Sequence, residues 1–324
     1  MTGSTSSFVT DPIEFAKAVH DACRCTLVTT DTGPFRAGLT RIDLRHIWLL
    51  GLEEWLARIM FIRPPPDCVL LLLPLKYPDS QQIAGYSRLP GELITVRAIG
   101  GFHWVSAGPC RSAVICCSES YLHRIARRTL GSDLILPEGL AYWRPRPESL
   151  RSLTTLCAAA IRMTAGKIRL PTDPQAAHGL EQELIGAVTE CLAGPPLQHP
   201  MRSQQARIDA MARFEDVLLA RPQALPPLAE LSVLIGLKPR TMRTYCQLHL
   251  GVGPNRYLRL LQLQRVHREL GGDRPTAASV TELVQRHGVR QPGRFARSYR
   301  EYFGELPSET LRRGSGHLTK RTVG

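Results

Sequence analysis

The sequence predicts an α+β protein: an N-terminal β domain followed by helices, then an all-α C-terminal domain built from a repeated helix pair. Three observations lead there. Short apolar runs broken by Gly and Pro fill the chain up to about Cys117, helical periodicity takes over from Ser120, and two C-terminal segments offset by 52 residues share one pattern. At 324 residues the chain exceeds what one hydrophobic core usually supports, so two domains are expected.

Strands are expected at Phe35–Leu44, Ile59–Ile62, Val69–Leu73, Leu93–Val96, Phe102–Val105 and Ala113–Cys117. Breaks at Pro64-Pro65-Pro66, Pro78, Pro90-Gly91, Gly100-Gly101 and Gly108-Pro109 delimit them. Many short strands at this spacing suggest a small antiparallel barrel or sandwich. Helices follow at Ser120–Leu130 and Glu148–Ala165, each closed by glycine, the second with Leu150, Leu153, Leu156, Cys157 and Ile161 along one stripe. A third starts at Asp173-Pro174, an acceptor before a proline at the first helical position, and carries Leu180, Leu184, Val188 and Leu192. These helices either close the β domain or pair with a second copy of it. Leu197–Met201 lacks periodicity and reads as a linker.

Charge divides the chain in the same way. The net charge is +13, and from Arg202 onward 21 Lys/Arg face 10 Asp/Glu, against 20 and 18 before it. A basic excess confined to one domain points to a polyanionic partner, nucleic acid or an acidic membrane surface. The longest apolar stretch, Cys68–Leu75, has 8 residues and cannot span a bilayer, and Met1–Thr10 lacks the pattern of a secretory leader. A cytoplasmic chain without a membrane partner is expected. Nine cysteines with no C-x-x-C read as reduced, buried thiols rather than a disulfide framework or a metal site.

The repeat carries the chemistry. Leu228–Gly236 (LAELSVLIG) is echoed by Val280–Gly288 (VTELVQRHG), each a short helix ending in glycine. The second opens with a capping box, Ser279 and Glu282. Beyond each glycine, Pro239, Met242, Cys246 and Leu250 align with Pro292, Phe295, Tyr299 and Phe303, a buried stripe at fourfold spacing. Facing away from it are Arg240, Arg243 and Thr244 in the first copy, and Arg294, Arg297 and Arg300 in the second. Two helices joined by a glycine turn, the second with an exposed basic face, form a helix-turn-helix. Such a rod fits the major groove of double-stranded DNA, and the Arg fork spans O6 and N7 of guanine. One such match is weak evidence; two in tandem on the basic half of the chain are strong. Asn255–Leu270 between the copies reads as a joining helix of roughly 24 Å, decorated by Arg256, Arg259, Arg265 and Arg268. Lys238, Arg256, Arg290 and Arg300 are the expected phosphate contacts.

Pro226–Arg312 resembles the AraC/XylS family of transcription regulators. The resemblance rests on LAELSVLIGLKPRTM, on LQLQR in the joining helix and on GRFARSYREYFGELPSE, with Phe303-Gly304-x-x-Pro307 its most specific part. It implies base reading by Arg240, Arg243 and Thr244, and by Gly293, Arg294 and Arg297, with Gly293 offering only backbone. It also implies an N-terminal cupin-like β domain that binds an effector or dimerises. Departures are Ser232 and Val284 at positions usually small, Gly288-Val289 for Gly-Phe, and Lys238 where a serine cap is usual. A cupin metal site needs a His/Glu cluster on neighbouring strands, and His103 is solitary, with His20, His46 and His123 scattered. No metal, cofactor or catalytic group is therefore assigned. Trp48, Trp55, Trp104 and Trp143 either line an apolar pocket or fill the core.

The expected layout is an effector or dimerisation domain over residues 1–196, a linker and connecting helix over 197–222, the tandem helix-turn-helix domain over 223–313, and a disordered basic tail over 314–324. The function expected is sequence-specific DNA binding by a transcription activator. Its candidate partners are RNA polymerase, a second copy of the chain and a small-molecule effector. An enzyme, or a small-molecule-binding protein in which DNA binding is secondary, is the alternative, but no Ser/His/Asp pattern, paired carboxylates or phosphate loop supports catalysis. A non-specific architectural protein would leave two recognition-type helices unexplained.

Overall fold

The computed structural model describes residues 3–20, 23–76, 81–166, 174–197, 202–271 and 279–313. The N-terminal half holds β1 (Gly3–Val9), α1 (Pro12–His20), β2 (Arg24–Thr29), β3 (Ala37–Asp43), β4 (Ile47–Glu54), β5 (Arg58–Arg63) and β6 (Cys68–Lys76). These are followed by β7 (Gln81–Ile83), β8 (Tyr86–Ser87), β9 (Leu93–Arg97), β10 (Phe102–Ser106), β11 (Cys110–Ser118), α2 (Glu119–Leu130) and β12 (Gly139–Trp143). Then come α3 (Pro147–Ala165), α4 (Pro174–Cys191), α5 (Arg202–Leu219), α6 (Leu228–Ile235), α7 (Pro239–Leu250), α8 (Pro254–Gly271), α9 (Val280–Arg286) and α10 (Pro292–Phe303). The fold class is α+β, with the strands in the first half and helices alone beyond β12.

The strands form a seven-stranded sheet, β1-β3-β4-β11-β6-β9-β12, and a five-stranded sheet, β2-β5-β10-β7-β8, antiparallel throughout. Alternation along the strands sends one side-chain set inward and the other outward. Leu27, Met60, Ile62 and Trp104 from one sheet meet Leu39, Leu50, Leu72, Ile94 and Val114 from the other in a packed interior. Beside Met60, on the same face of β5, Arg58 is fully buried and holds Glu54 by two bonds of 2.8 Å, its Nη1 donating to the Trp104 carbonyl at 2.6 Å. Full pairing is what makes a buried ion pair tolerable.

Each outer face is covered differently. Against the seven-stranded sheet lie α2, α3 and α4, with Leu122, Leu153, Ala160, Leu184 and Val188 packed on Ile42, Leu49, Leu71 and Ile115. On the five-stranded sheet, Val28 and Ile59 share a core with Met211, Phe214 and Leu218 of α5 and with Leu231, Met242, Cys246, Leu250, Tyr257, Leu263, Leu283, Phe295 and Tyr299 of the C-terminal helices. Ile208 of α5 reaches the barrel core, so α5 spans both.

The structure adds elements that the sequence pattern does not announce: β1, β2, β4, β7, β8, β12 and α1. The Leu197–Met201 linker lies mostly outside the described residues, as does the tail from Gly314. All nine cysteines are free thiols, buried except for the half-buried Cys68. Among the described residues, no helix is long and apolar enough to cross a membrane.

Candidate nucleic-acid interface

The two helix pairs, α6–α7 and α9–α10, form as the repeat predicts. Both turns pass through a left-handed glycine, Gly236 at φ 74° and Gly288 at φ 74°, a conformation costly for any residue with a Cβ. Ser232 and Val284, at the positions usually small, are buried against the following helices, with the Ser232 hydroxyl unpartnered among the described residues. Ser279 caps α9 by accepting the Glu282 N–H at 3.1 Å. Neither recognition helix has such a cap: Lys238 before α7 and Gln291 before α10 make no side-chain bond to the helix start. The first-turn N–H groups of both helices therefore face outward without a side-chain acceptor.

On α7 the outward face carries Arg240, Arg243 and Thr244, all exposed, with the Thr244 hydroxyl donating to the Arg240 carbonyl at 3.2 Å. Gln247, one turn further on, extends this face, and carries no charge to mark it in the sequence. On α10, Gly293, Arg294, Arg297 and Arg300 are exposed, and Arg297 lies 3.9 Å from Glu301, a contact too loose to hold it. The space around Gly293 is open, so its backbone is approachable. Lys238, Arg256 and Arg290 are likewise exposed.

One expectation is corrected. Arg265, expected on the surface of the joining helix, is buried and donates to the Leu218 and Arg221 carbonyls at 2.8 and 2.7 Å. These lie at and just beyond the end of α5, where carbonyls lack helical partners. Burial, and then Arg268 nearby, lowers its pKa to about 10. Arg265 is thus a cap for α5 rather than a member of the basic surface.

Residues 231–313 match the helix-turn-helix domain model of this type. XylDLEGF operon transcriptional activator 1 of Pseudomonas putida is 37% identical over 105 residues, 32% of this chain and 31% of that protein. The probable thc operon regulatory protein of Rhodococcus erythropolis is 35% identical over 97 residues, 30% of this chain and 29% of that one. The crystal structure of a probable AraC family regulator from Rhodopseudomonas palustris CGA009 shares 31% identity over 33% of this chain and 97% of its own, at a TM-score of 0.30.

The chain belongs to the AraC/XylS family. The chain spans about a third of the length of these two curated relatives, and the family-model match lies in its C-terminal region.

In this AraC/XylS chain the two units sit differently against the β domain. The hydroxyl of Tyr302, on α10, bonds Thr29 of β2, and Gln264 of α8 lies 3.1 Å from it. His103 Nε2 and the Tyr257 hydroxyl share Glu215 Oε1 at 2.9 and 2.7 Å, which ties β10, α8 and α5 together. His103 therefore points out of the barrel, towards the helices, and is fully buried there. Gly85, in the β7–β8 turn, leaves so little space that a Cβ would stand 2.9 Å from Leu248 and 3.3 Å from its carbonyl oxygen on α7. A groove of about 740 Å³ beside α7 is lined by Gln82 of β7 together with Arg243, Thr244 and Gln247. The first recognition face thus has the β domain as a neighbour. None of these partners was visible in sequence, because they lie 38 to 273 residues apart.

Proposed function

We propose that the protein is a transcription regulator that binds double-stranded DNA sequence-specifically, α7 and α10 entering successive major grooves. What carries the reading is one arrangement: two rigidly supported helices, each exposing two or three arginines, on a half-chain with a surplus of eleven positive charges (21 basic against 10 acidic residues). In this reading Arg240, Arg243, Thr244, Arg294 and Arg297 read bases, with the Gly293 backbone close to the groove. Lys238, Arg256, Arg290 and Arg300 meet phosphates. The names of the relatives, activators of an operon, support an activating role through RNA polymerase.

The layout follows: residues 1–196 sense or dimerise, 197–222 connect, and 223–313 bind DNA. Because α5 and α8 pack on the five-stranded sheet, a change in the β domain has a direct mechanical route to the DNA-binding half. Binding to a promoter library at two salt concentrations tests this. The expected result is a steep loss of affinity with salt together with a preferred sequence, several orders of magnitude above random DNA. Equal affinity for every sequence would refute it and leave a non-specific binder.

A further inference from the structure

The helical cover on the seven-stranded sheet leaves an opening at the C-terminal end of α3. Strand register places Phe8, Gly38, Glu53, Arg111 and Lys76 in one row across five strands. Ser6, Thr40 and Gly51 form the next row. α3 crosses the second row closely, since a Cβ on Gly51 would stand 2.8 Å from Ile161. Over the first row α3 and the sheet diverge, and a cavity of about 990 Å³ opens between them. Its volume is at the upper end of the range for small-molecule sites.

The lining is amphipathic and one-sided. Leu75, Ala158 and Ile161 form the apolar wall. At the mouth, the rings of Phe8 and Trp55 meet edge-on, 5.9 Å apart, and remain 62% and 40% exposed. An exposed aromatic pair at the rim of a cavity offers apolar contact area to a ligand seated there. Lys76, Arg111 and Arg162 also line it. Arg111 is paired with Glu53, whereas Lys76 and Arg162 have no carboxylate partner among the described residues. Among the described lining residues, with Glu53 the one carboxylate, the charges therefore sum to a surplus of two positive. Within it, Thr164 is only 7% exposed, and its hydroxyl has no hydrogen-bond partner among the described residues. A buried hydroxyl without a partner is unusual in a folded protein and is satisfied when a ligand supplies one.

We propose that this cavity binds an amphipathic organic anion, its apolar body against Leu75, Ile161 and the Phe8–Trp55 pair. Its carboxylate or sulfonate head meets Lys76, Arg162 and the Thr164 hydroxyl. That this ligand is the effector of transcription rests on the regulator reading above; the binding itself does not.

The test titrates the full chain with 1-anilinonaphthalene-8-sulfonate and, separately, with uncharged N-phenyl-1-naphthylamine, following fluorescence. One sulfonate probe is expected to bind per chain. The Lys76→Ala/Arg162→Ala double variant should weaken it roughly tenfold or more and change the neutral probe less than about twofold. Thr164→Val, near-isosteric and breaking no internal bond, should weaken the sulfonate probe roughly fivefold to tenfold while melting no lower than the parent chain. Equal binding of both probes, unaffected by these substitutions, would overturn the proposal. Promoter binding is measured on the same samples. A preferred DNA sequence with no variant effect on the probe defeats the cavity alone, and the reverse outcome defeats the regulator reading alone.

Discussion

Glu215→Ala removes the carboxylate oxygen that receives both His103 Nε2, at 2.9 Å, and the Tyr257 hydroxyl, at 2.7 Å. All three groups are buried, at 0%, 2% and 1% exposure for His103, Glu215 and Tyr257. The cost is not the worth of two hydrogen bonds in water. It is the penalty of leaving an imidazole and a phenol buried without an acceptor, about 3–5 kcal/mol where a buried ionic partner is deleted. Against a total stability of roughly 5–15 kcal/mol this is a large fraction. Glu215→Gln keeps an acceptor oxygen in place and should cost only about 1 kcal/mol. Since the triad joins β10, α5 and α8, the alanine variant should also uncouple the two halves of the chain. Urea unfolding followed by circular dichroism would then split from one transition into two. An alanine variant within about 1 kcal/mol of the parent, or no better behaved with glutamine, would refute the reasoning.

Other consequences follow from single contacts. Burial, then the charges of His103 and Arg207, lowers the pKa of His249 to about 3. The folded state therefore keeps this imidazole neutral while the unfolded chain takes up a proton below about pH 6.5, so stability is full above that pH and falls as pH drops towards 3. At pH 5.5 the loss from this group is about 1 kcal/mol, which thermal melts at pH 7.5 and 5.5 should show for the parent and not for His249→Gln. Gly85→Ala combines a left-handed φ of 79° with a clash on Leu248, and should lower the melting temperature by a few degrees and expose the β7–β8 turn to protease. Ser279→Ala removes the cap of α9 and should cost about 1 kcal/mol, with a matching fall in DNA affinity when the second unit frays.

Much of the C-terminal domain was legible because its signals are local: glycine turns, a cap at Ser279, and an apolar stripe from Met242 to Leu250 repeated from Phe295 to Phe303. The strands that escaped notice did so for physical reasons. β1, Gly3–Val9, is an edge strand with mostly exposed side chains, so it has no apolar alternation to read. β4 contains Glu53 and Glu54, and only the buried partner Arg58 explains why Glu54 is 1% exposed. Arg265 looked like surface charge because the carbonyls it caps are more than forty residues away in sequence. Sequence marks His103 and Trp55 only as residue types, and the fold assigns one to the seam between the two halves and the other to the mouth of a cavity. The exposed basic residues of both recognition helices stand where the repeat places them.

The most direct test of DNA reading is a comparison of Arg297→Ala and Arg243→Ala with the parent chain, each titrated against the selected site and against every single-base variant of it. A base-reading arginine predicts a loss of about 1–3 kcal/mol on the selected site, with preference relaxed at one base pair and left intact elsewhere. Affinities that fall equally on all sequences, or do not change for either variant, would contradict sequence reading by these two helices.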